Sequence, residues 1–302
     1  MKLGIDVGGT KTKVAVLDRS GQLVATQSYA TIIKEKPFLD FLTGLIQDHM
    51  RKWPEIRQAG IGIPGTVDAA AGLVIGCPAL QVENLYLCRE LRQRVRIPVC
   101  VENDVNAWAV AEGEIGACRK DKDYVLVTVG TGIGAGIVIN REVYRGAHYE
   151  AGEIGYMVSE ENLQLPTPSK QDFGAFEKKA SAIAVSRLYQ EMTGQAADTQ
   201  EVFRRAKTGE KVAQQIVGHQ LDALAIGLAN IICILEPAKI VIGGGLANEG
   251  EYLLQNLRTR VEKLIPSRTV IALSEGGNWG GAIGAALLAG KKLSSLAADT
   301  AD

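Results

Sequence analysis

Three times in this chain an apolar run of strand length stops at a cluster of glycines. Residues 3–7 run into Gly8-Gly9-Thr10-Lys11, residues 124–129 into Gly130-Thr131-Gly132-Ile133-Gly134, and residues 239–242 into Gly243-Gly244-Gly245. Glycine tolerates positive φ and lets successive backbone N–H groups turn toward an anion. One such cluster is more often a plain tight turn; three in the same strand context point to a phosphate or nucleoside held at strand ends. Neither familiar nucleotide signature is present. There is no GxxxxGK[ST], and residues 130–134 lack a sixth-position glycine and lead into a strand, which argues against a dinucleotide fold. The 34 glycines in 302 residues are about 11% of the chain against a usual 7%, and many end apolar runs.

Around these loops the pattern is α/β with a mixed sheet. Strands at 3–7, 14–17 and 23–28 read as an antiparallel meander, followed by a helix over 38–50, a strand at 58–63, a helix at 89–95, a strand at 97–101 and a helix from 105 to 113. Residues 116–123 are polar and charged and mark a domain junction. Beyond them strand, Gly-Thr loop and strand recur, which suggests two similar halves. A polar loop is expected over 160–172, then helices at 173–192, 199–207, 210–235 and 251–264. Strands follow at 239–242 and 269–273, then a small-residue helix at 279–288 and a frayed tail after 291. The domains are drawn as 1–117 with about 290–302, and 118–289.

Charge and composition exclude several classes. With 33 basic and 34 acidic residues there is no concentrated basic surface, so nucleic acid is not an expected partner. Five cysteines, an odd number without CxxC spacing, read as reduced thiols of a cytoplasmic protein. Asp6 interrupts any signal-peptide core. The stretch 221–235, broken by Asp222, Gly227 and Asn230, falls short of the ~20 apolar residues a membrane span needs, so no membrane association is expected.

Asn103-Asp104, at a predicted strand end, is the strongest catalytic candidate. Asp104 can accept a proton from a substrate hydroxyl; equally, it can cap the helix that starts at Val105. Residues alone leave both readings open. Glu150, Glu153 and Glu177, each taken alone, read as surface or capping acids.

Taken together, Leu3-Gly4-Ile5-Asp6-Val7-Gly8-Gly9-Thr10-Lys11, Ile61-Gly62-Ile63-Pro64-Gly65, Glu102-Asn103-Asp104-Val105-Asn106, residues 130–134, Ala151-Gly152-Glu153-Ile154-Gly155 and Ile242-Gly243-Gly244-Gly245 resemble the ROK group of bacterial sugar kinases and sugar-responsive repressors, in the actin/hexokinase superfamily. The resemblance spans essentially the whole chain. It implies a two-domain actin-like ATPase fold of the ribonuclease H-like type, with the active-site cleft between the domains and the helix near 279–288 packed toward the first. It also implies a homodimer, and ATP and Mg2+ as cofactors. It makes Asp104 the catalytic base and places Gly65, Asn103, Glu153, Tyr156 and Glu177 with Asp104 around the sugar. Asp6, Gly8, Gly9, Thr10, Lys11, Thr131 and Gly132 become the phosphate grip, Gly243, Gly244, Gly245 and Leu246 the adenosine neighbours, and Asp6 a water-mediated magnesium partner. Repressor members carry a DNA-binding module before the first loop; here that loop starts six residues in, which favours the kinase reading.

One departure stands out. Family members usually follow AGExGH with CxCGxxGCxE, whose histidine and three cysteines grip zinc. Here the histidine position is Tyr156, and aligning the last glutamate on Glu177 puts Pro168, Lys170 and Ala175 at the cysteine positions. Tetrahedral zinc needs four such ligands, so no zinc site is expected. The expected activity is phosphorylation of a hexose hydroxyl, the 6-hydroxyl of a glucose-like sugar, with N-acetylmannosamine, fructose, allose and β-glucosides as alternatives. A catalytically silent sugar sensor is a second reading. A small-acid kinase is disfavoured because the substrate positions are acidic and amide rather than basic.

Overall fold

The computed structural model describes residues 1–159, 162 and 174–298. The chain divides into two compact units: Met1–Arg119 with Val143–Glu150 and the chain from Glu275, and Lys120–Glu142 with Ala151–Ser274.

The first unit opens with β1 (Lys2–Val7), β2 (Lys11–Leu17) and β3 (Leu23–Ala30), then α1 (Glu35–Lys52), β4 (Gln58–Ile63), β5 (Thr66–Asp68), β6 (Leu73–Cys77), β7 (Val82–Leu85), α2 (Leu87–Val95), β8 (Val99–Asn103) and α3 (Asp104–Glu114). Its main sheet has the order β3-β2-β1-β4-β8. β1 runs antiparallel to β2 and parallel to β4, which runs parallel to β8. The apolar period of α1 buries Phe38, Leu42 and Ile46 against Leu3, Ile5 and Ile61 of the sheet.

The second unit holds β9 (Tyr124–Val129), β10 (Ile133–Ile139), α4 (Glu177–Ala180), α5 (Ala182–Thr193), α6 (Thr199–Lys207), α7 (Lys211–Leu235), β12 (Lys239–Gly243), α8 (Glu251–Leu264) and β13 (Val270–Leu273), and the short edge strand β11 (Glu142–Tyr144) starts on its last residue before Val143. Its sheet order is β11-β10-β9-β12-β13. An antiparallel hairpin followed by two parallel strands is the plan of the first sheet repeated, so the repeated strand, Gly-Thr loop and strand correspond to two similarly wired sheets.

Four sequence expectations change. Residues 275–289 and 143–150 group with the first unit, not with 118–289. The reason is α9 (Gly280–Ala298), which lies so close to β1 and β4 that a Cβ on Gly4 or Gly60 would overlap the carbonyls of Ala282 or Ala285. The helix also continues past the tail expected to fray after 291. The helical run at 173–192 is broken at Ser181, whose extended backbone and Oγ cap α5 by accepting from Ala184 N–H at 3.2 Å; Phe173 lies outside the described residues, as does most of the 160–172 loop. Finally, α7 is 25 residues long and meets the length and composition of a membrane span, although 61% of its apolar window is buried inside the protein. Ile216, Val217, Leu221, Leu224 and Leu228 pack into the second unit's core, which makes α7 a core helix. All five cysteines are free thiols, and only Cys233 is exposed.

Candidate functional site

In the first unit, β8 ends and α3 begins without an intervening loop, which places Glu102, Asn103 and Asp104 side by side. The cap of α3 is Asn103: its Oδ1 accepts from Val105 N–H at 3.0 Å and Asn106 N–H at 3.1 Å. Its Nδ2 donates to the Gly65 carbonyl at 3.1 Å, bringing Gly65, Asn103 and Asp104 together. Asp104 is therefore the first helical residue and not the cap, although its Oδ1 also accepts from Val105 N–H at 3.0 Å. The capping explanation of this carboxylate is taken over by its neighbour.

Two residues given no role from the sequence alone brace this corner. Glu102, 2% exposed, accepts from Asn103 N–H at 3.1 Å and Asn106 Nδ2 at 3.3 Å. Its other oxygen accepts from Arg145 Nε at 3.0 Å and Nη2 at 2.6 Å. A buried carboxylate is tolerable when a fork of this kind satisfies it. The glutamate beside Asn103-Asp104 was visible in the sequence; its partner 43 positions away was not.

Asp6, at the end of β1, lies against the first turn of α9, where a Cβ on Gly281 would come within 2.7 Å of its Cγ. Burial pushes the Asp104 carboxyl up to about 7, and the charge of Asp6 pushes the same way. Burial raises Asp6 to about 6 against the opposing pull of Lys13, whose Nζ donates to the Asn278 carbonyl at 2.7 Å. A pair of desolvated carboxylates with little cationic compensation gains from an added cation. Among the described residues no three His, Cys, Asp or Glu side chains gather to hold a metal. The donor set thus fits an ion that keeps most of its waters, as Mg2+ does. The β1–β2 turn is closed by Gly8 N–H donating to the Lys11 carbonyl at 2.9 Å and by Thr31 Oγ1 donating to the Gly8 carbonyl at 2.7 Å. Gly9, Thr10 and Lys11 are exposed.

In the second unit, Gly130 N–H donates to the Gly132 carbonyl at 2.9 Å, and the Gly130 carbonyl accepts from Ala182 N–H at 2.8 Å. Thr131, Gly245 and Leu246 line one pocket of about 250 Å³ with Ala182, Ile183, Ser186, Asp198, Thr199, Gln200 and Glu249. The structure thus brings two of the three predicted glycine loops to a common cavity and adds residues from α5 and α6 that no glycine signal announced. Glu153 and Tyr156 are exposed on a segment docked to β10, where Ala135 N–H donates to the Gly152 carbonyl at 2.8 Å. Glu177 begins α4, and its Oε2 accepts from Ile133 N–H at 2.6 Å. Of the positions aligned with zinc-binding cysteines, Ala175 lies in the turn before α4; Pro168 and Lys170 are outside the described residues.

Two α/β units, each built on a sheet of the same strand order and each ending strands in glycine loops, define the actin/hexokinase-like class of two-domain folds. Within it the chain belongs to the ROK family, whose model matches residues 2–292. It is 31% identical to an N-acetyl-D-glucosamine kinase of Photobacterium profundum over 304 residues, covering 97% of this chain and all of that one. It is 29% identical to a xylose repressor of Caldicellulosiruptor bescii over 291 residues, covering 89% of this chain and 71% of that one. In structure it is similar to a ROK family glucokinase from Streptomyces griseus, solved with glucose and AMPPNP, with a TM-score of 0.84 at 27% identity, covering 96% and 99% of the two chains.

Proposed function

We propose that this protein is an ATP-dependent sugar kinase that transfers the γ-phosphoryl group to a hexose hydroxyl, the 6-hydroxyl of a glucose-like sugar. The observation that carries the reading is Asp104. It is partly buried beside Asp6, relieved of capping by Asn103, and has its carboxyl pushed up to about 7. A base with that affinity for a proton is matched to a hydroxyl at neutral pH.

In the reaction, Asp104 accepts the hydroxyl proton as the sugar oxygen forms its bond to the γ-phosphorus and the bond to the bridging oxygen breaks, releasing ADP. Asn103 and Gly65, already joined at 3.1 Å, fix one side of the sugar. Glu153, Tyr156 and Glu177 supply further hydroxyl partners, which discriminate against analogues lacking those groups. In the turn that the Gly8 N–H closes onto the Lys11 carbonyl, the N–H groups of Gly9, Thr10 and Lys11, with Thr131 and Gly132, hold phosphate oxygens. Gly243, Gly244, Gly245 and Leu246 flank the adenosine, whose base occupies the pocket between Ile183 and Leu246. Magnesium, when bound through water to Asp6, supplies neutralisation of phosphate charge.

Kinases among the relatives support this reading. The repressor relative favours a sugar-sensing alternative, which predicts sugar binding without turnover. A coupled ADP-release assay over glucose, N-acetylglucosamine, N-acetylmannosamine, fructose and β-glucosides separates the two. A kcat/KM for one hexose well above the rest is expected, and binding without ADP release for every sugar would favour the sensor.

A further inference from the structure

We infer that Glu112, a carboxylate buried on α3 about two turns beyond Asp104, is a positioning residue for phosphoryl transfer: it holds the turn that seats the start of α9 against Asp6. The inference rests on the kinase reading above, and every group in it belongs to the first unit.

Glu112 is 0% exposed, and the donors that meet it come from three stretches of chain. Its Oε1 accepts from Trp108 Nε1–H at 3.2 Å, one turn back on α3, and from Gly276 N–H at 2.9 Å. Its Oε2 accepts from Ala117 N–H at 2.9 Å, just past the end of α3, and from Glu275 N–H at 3.2 Å. A carboxylate accepts on both oxygens; an amide of the same shape would turn an NH2 toward two of these N–H groups. The surrounding backbone fits closely. A Cβ on Gly116 would overlap Oε2, one on Gly276 would lie 3.1 Å from Oε1, and one on Gly280, the first residue of α9, would overlap the Trp108 indole. Glu112 and Trp108 thus fasten residues 275–280 to the helix that starts with Asp104.

Those residues matter because of what they place beside Asp6. The Asn278 carbonyl accepts from Lys13 Nζ at 2.7 Å, and the charge of Lys13 pulls on Asp6. Gly281, in the first turn of α9, is so near that a Cβ there would lie 2.7 Å from the Asp6 Cγ. Both neighbours of Asp6 therefore depend on the turn that Glu112 grips, while α3 carries Asp104 at its other end. The clamp sets the spacing between the acid that takes the hydroxyl proton and the acid at the first phosphate loop. A misplacement of about 1 Å in such an arrangement costs on the order of a hundredfold in rate. The contact of Asn103 with Gly65 at 3.1 Å does not pass through Glu112, so a loosened clamp slows transfer without weakening the hold on the sugar.

Steady-state kinetics of the full chain on the best hexose, with amide exchange read by mass spectrometry, tests this on Glu112→Gln. In the folded variant kcat is expected to fall at least about tenfold, with the sugar KM within about twofold of wild type. Peptides covering residues 275–281 are expected to exchange at least about tenfold faster than in wild type, with those covering α1 unchanged. A residue that only stabilises the fold would lower the thermal midpoint and leave the kcat of the folded enzyme alone. Trp108→Phe, which removes one donor and keeps an aromatic ring, decides the matter where Glu112→Gln does not fold; a kcat loss of at least about threefold at unchanged sugar KM is expected of it. A kcat closer to wild type than about threefold, in folded Glu112→Gln or failing that in Trp108→Phe, overturns the positioning role and leaves the kinase reading intact. So does a loss confined to the sugar KM. Failure of the wild type to phosphorylate any hexose overturns the kinase reading and this role with it.

Discussion

Asp104→Asn keeps the size of the side chain and an oxygen for Val105 N–H, and removes only the ionisable group. In the unfolded chain that carboxyl titrates at 3.8, and in the folded protein at about 7. The folded state therefore binds more protons than the unfolded state between these values, and wild-type stability falls as pH rises through that window. At about 1.36 kcal/mol for each pH unit separating the two values, roughly 4 kcal/mol is lost by pH 8. Asparagine has no proton to lose. The stability advantage of Asp104→Asn should therefore grow from under about 1 kcal/mol at pH 4 to roughly 4 kcal/mol at pH 8. Urea denaturation followed by tryptophan fluorescence reads this in the right place, because Trp53, Trp108 and Trp279 all belong to the first unit. Superimposable midpoints at pH 8, or an advantage independent of pH, would refute the argument that a desolvated carboxylate pair strains this corner. A base poised near neutrality is thus costly to fold, and such carboxyls concentrate where chemistry requires them.

Other outcomes follow from packing and from the pocket. Gly60→Ala should destabilise the first unit by about 3 kcal/mol or more, since the new methyl meets the Ala285 backbone carbonyl and α9 has no flexible side chain there to move; a thermal midpoint indistinguishable from wild type would contradict this. Ile183→Trp should fill the pocket of about 250 Å³ and weaken ATP binding at least about tenfold with sugar affinity little changed. Equilibrium titration of both ligands checks it, and equal loss of both would show that the pocket is not the nucleotide's alone.

Much of this architecture can be read from the residues because its glycine clusters fall where strands stop, and two sheets of the same order then explain why the pattern recurs. What the residues do not disclose depends on distance or on broken periodicity. The small sheet β5-β6-β7 uses strands of three to five residues with no usable alternation. The break at Ser181 interrupts a helical period that continues on both sides of it. α9 belongs with β1 and β4 only through close backbone approach between segments far apart in sequence. At the site, the residues alone leave Asp104 as either base or cap, and the structure puts the Oδ1 of Asn103 in the capping position. Glu102 lay in the recognised motif, but its value as a brace rests on Arg145, which no local signal connects to it.

The kinase reading stands or falls on Asp104 as the group that takes the hydroxyl proton. Turnover and nucleotide affinity should be measured together on purified wild type and Asp104→Asn, using the best hexose and mass detection of the sugar phosphate. The expected result is a loss of about two to four orders of magnitude in kcat with the Kd for Mg2+–AMPPNP changed less than about threefold, under half of the ~1.4 kcal/mol that a tenfold change represents. Near-wild-type formation of sugar phosphate by the asparagine variant would contradict it.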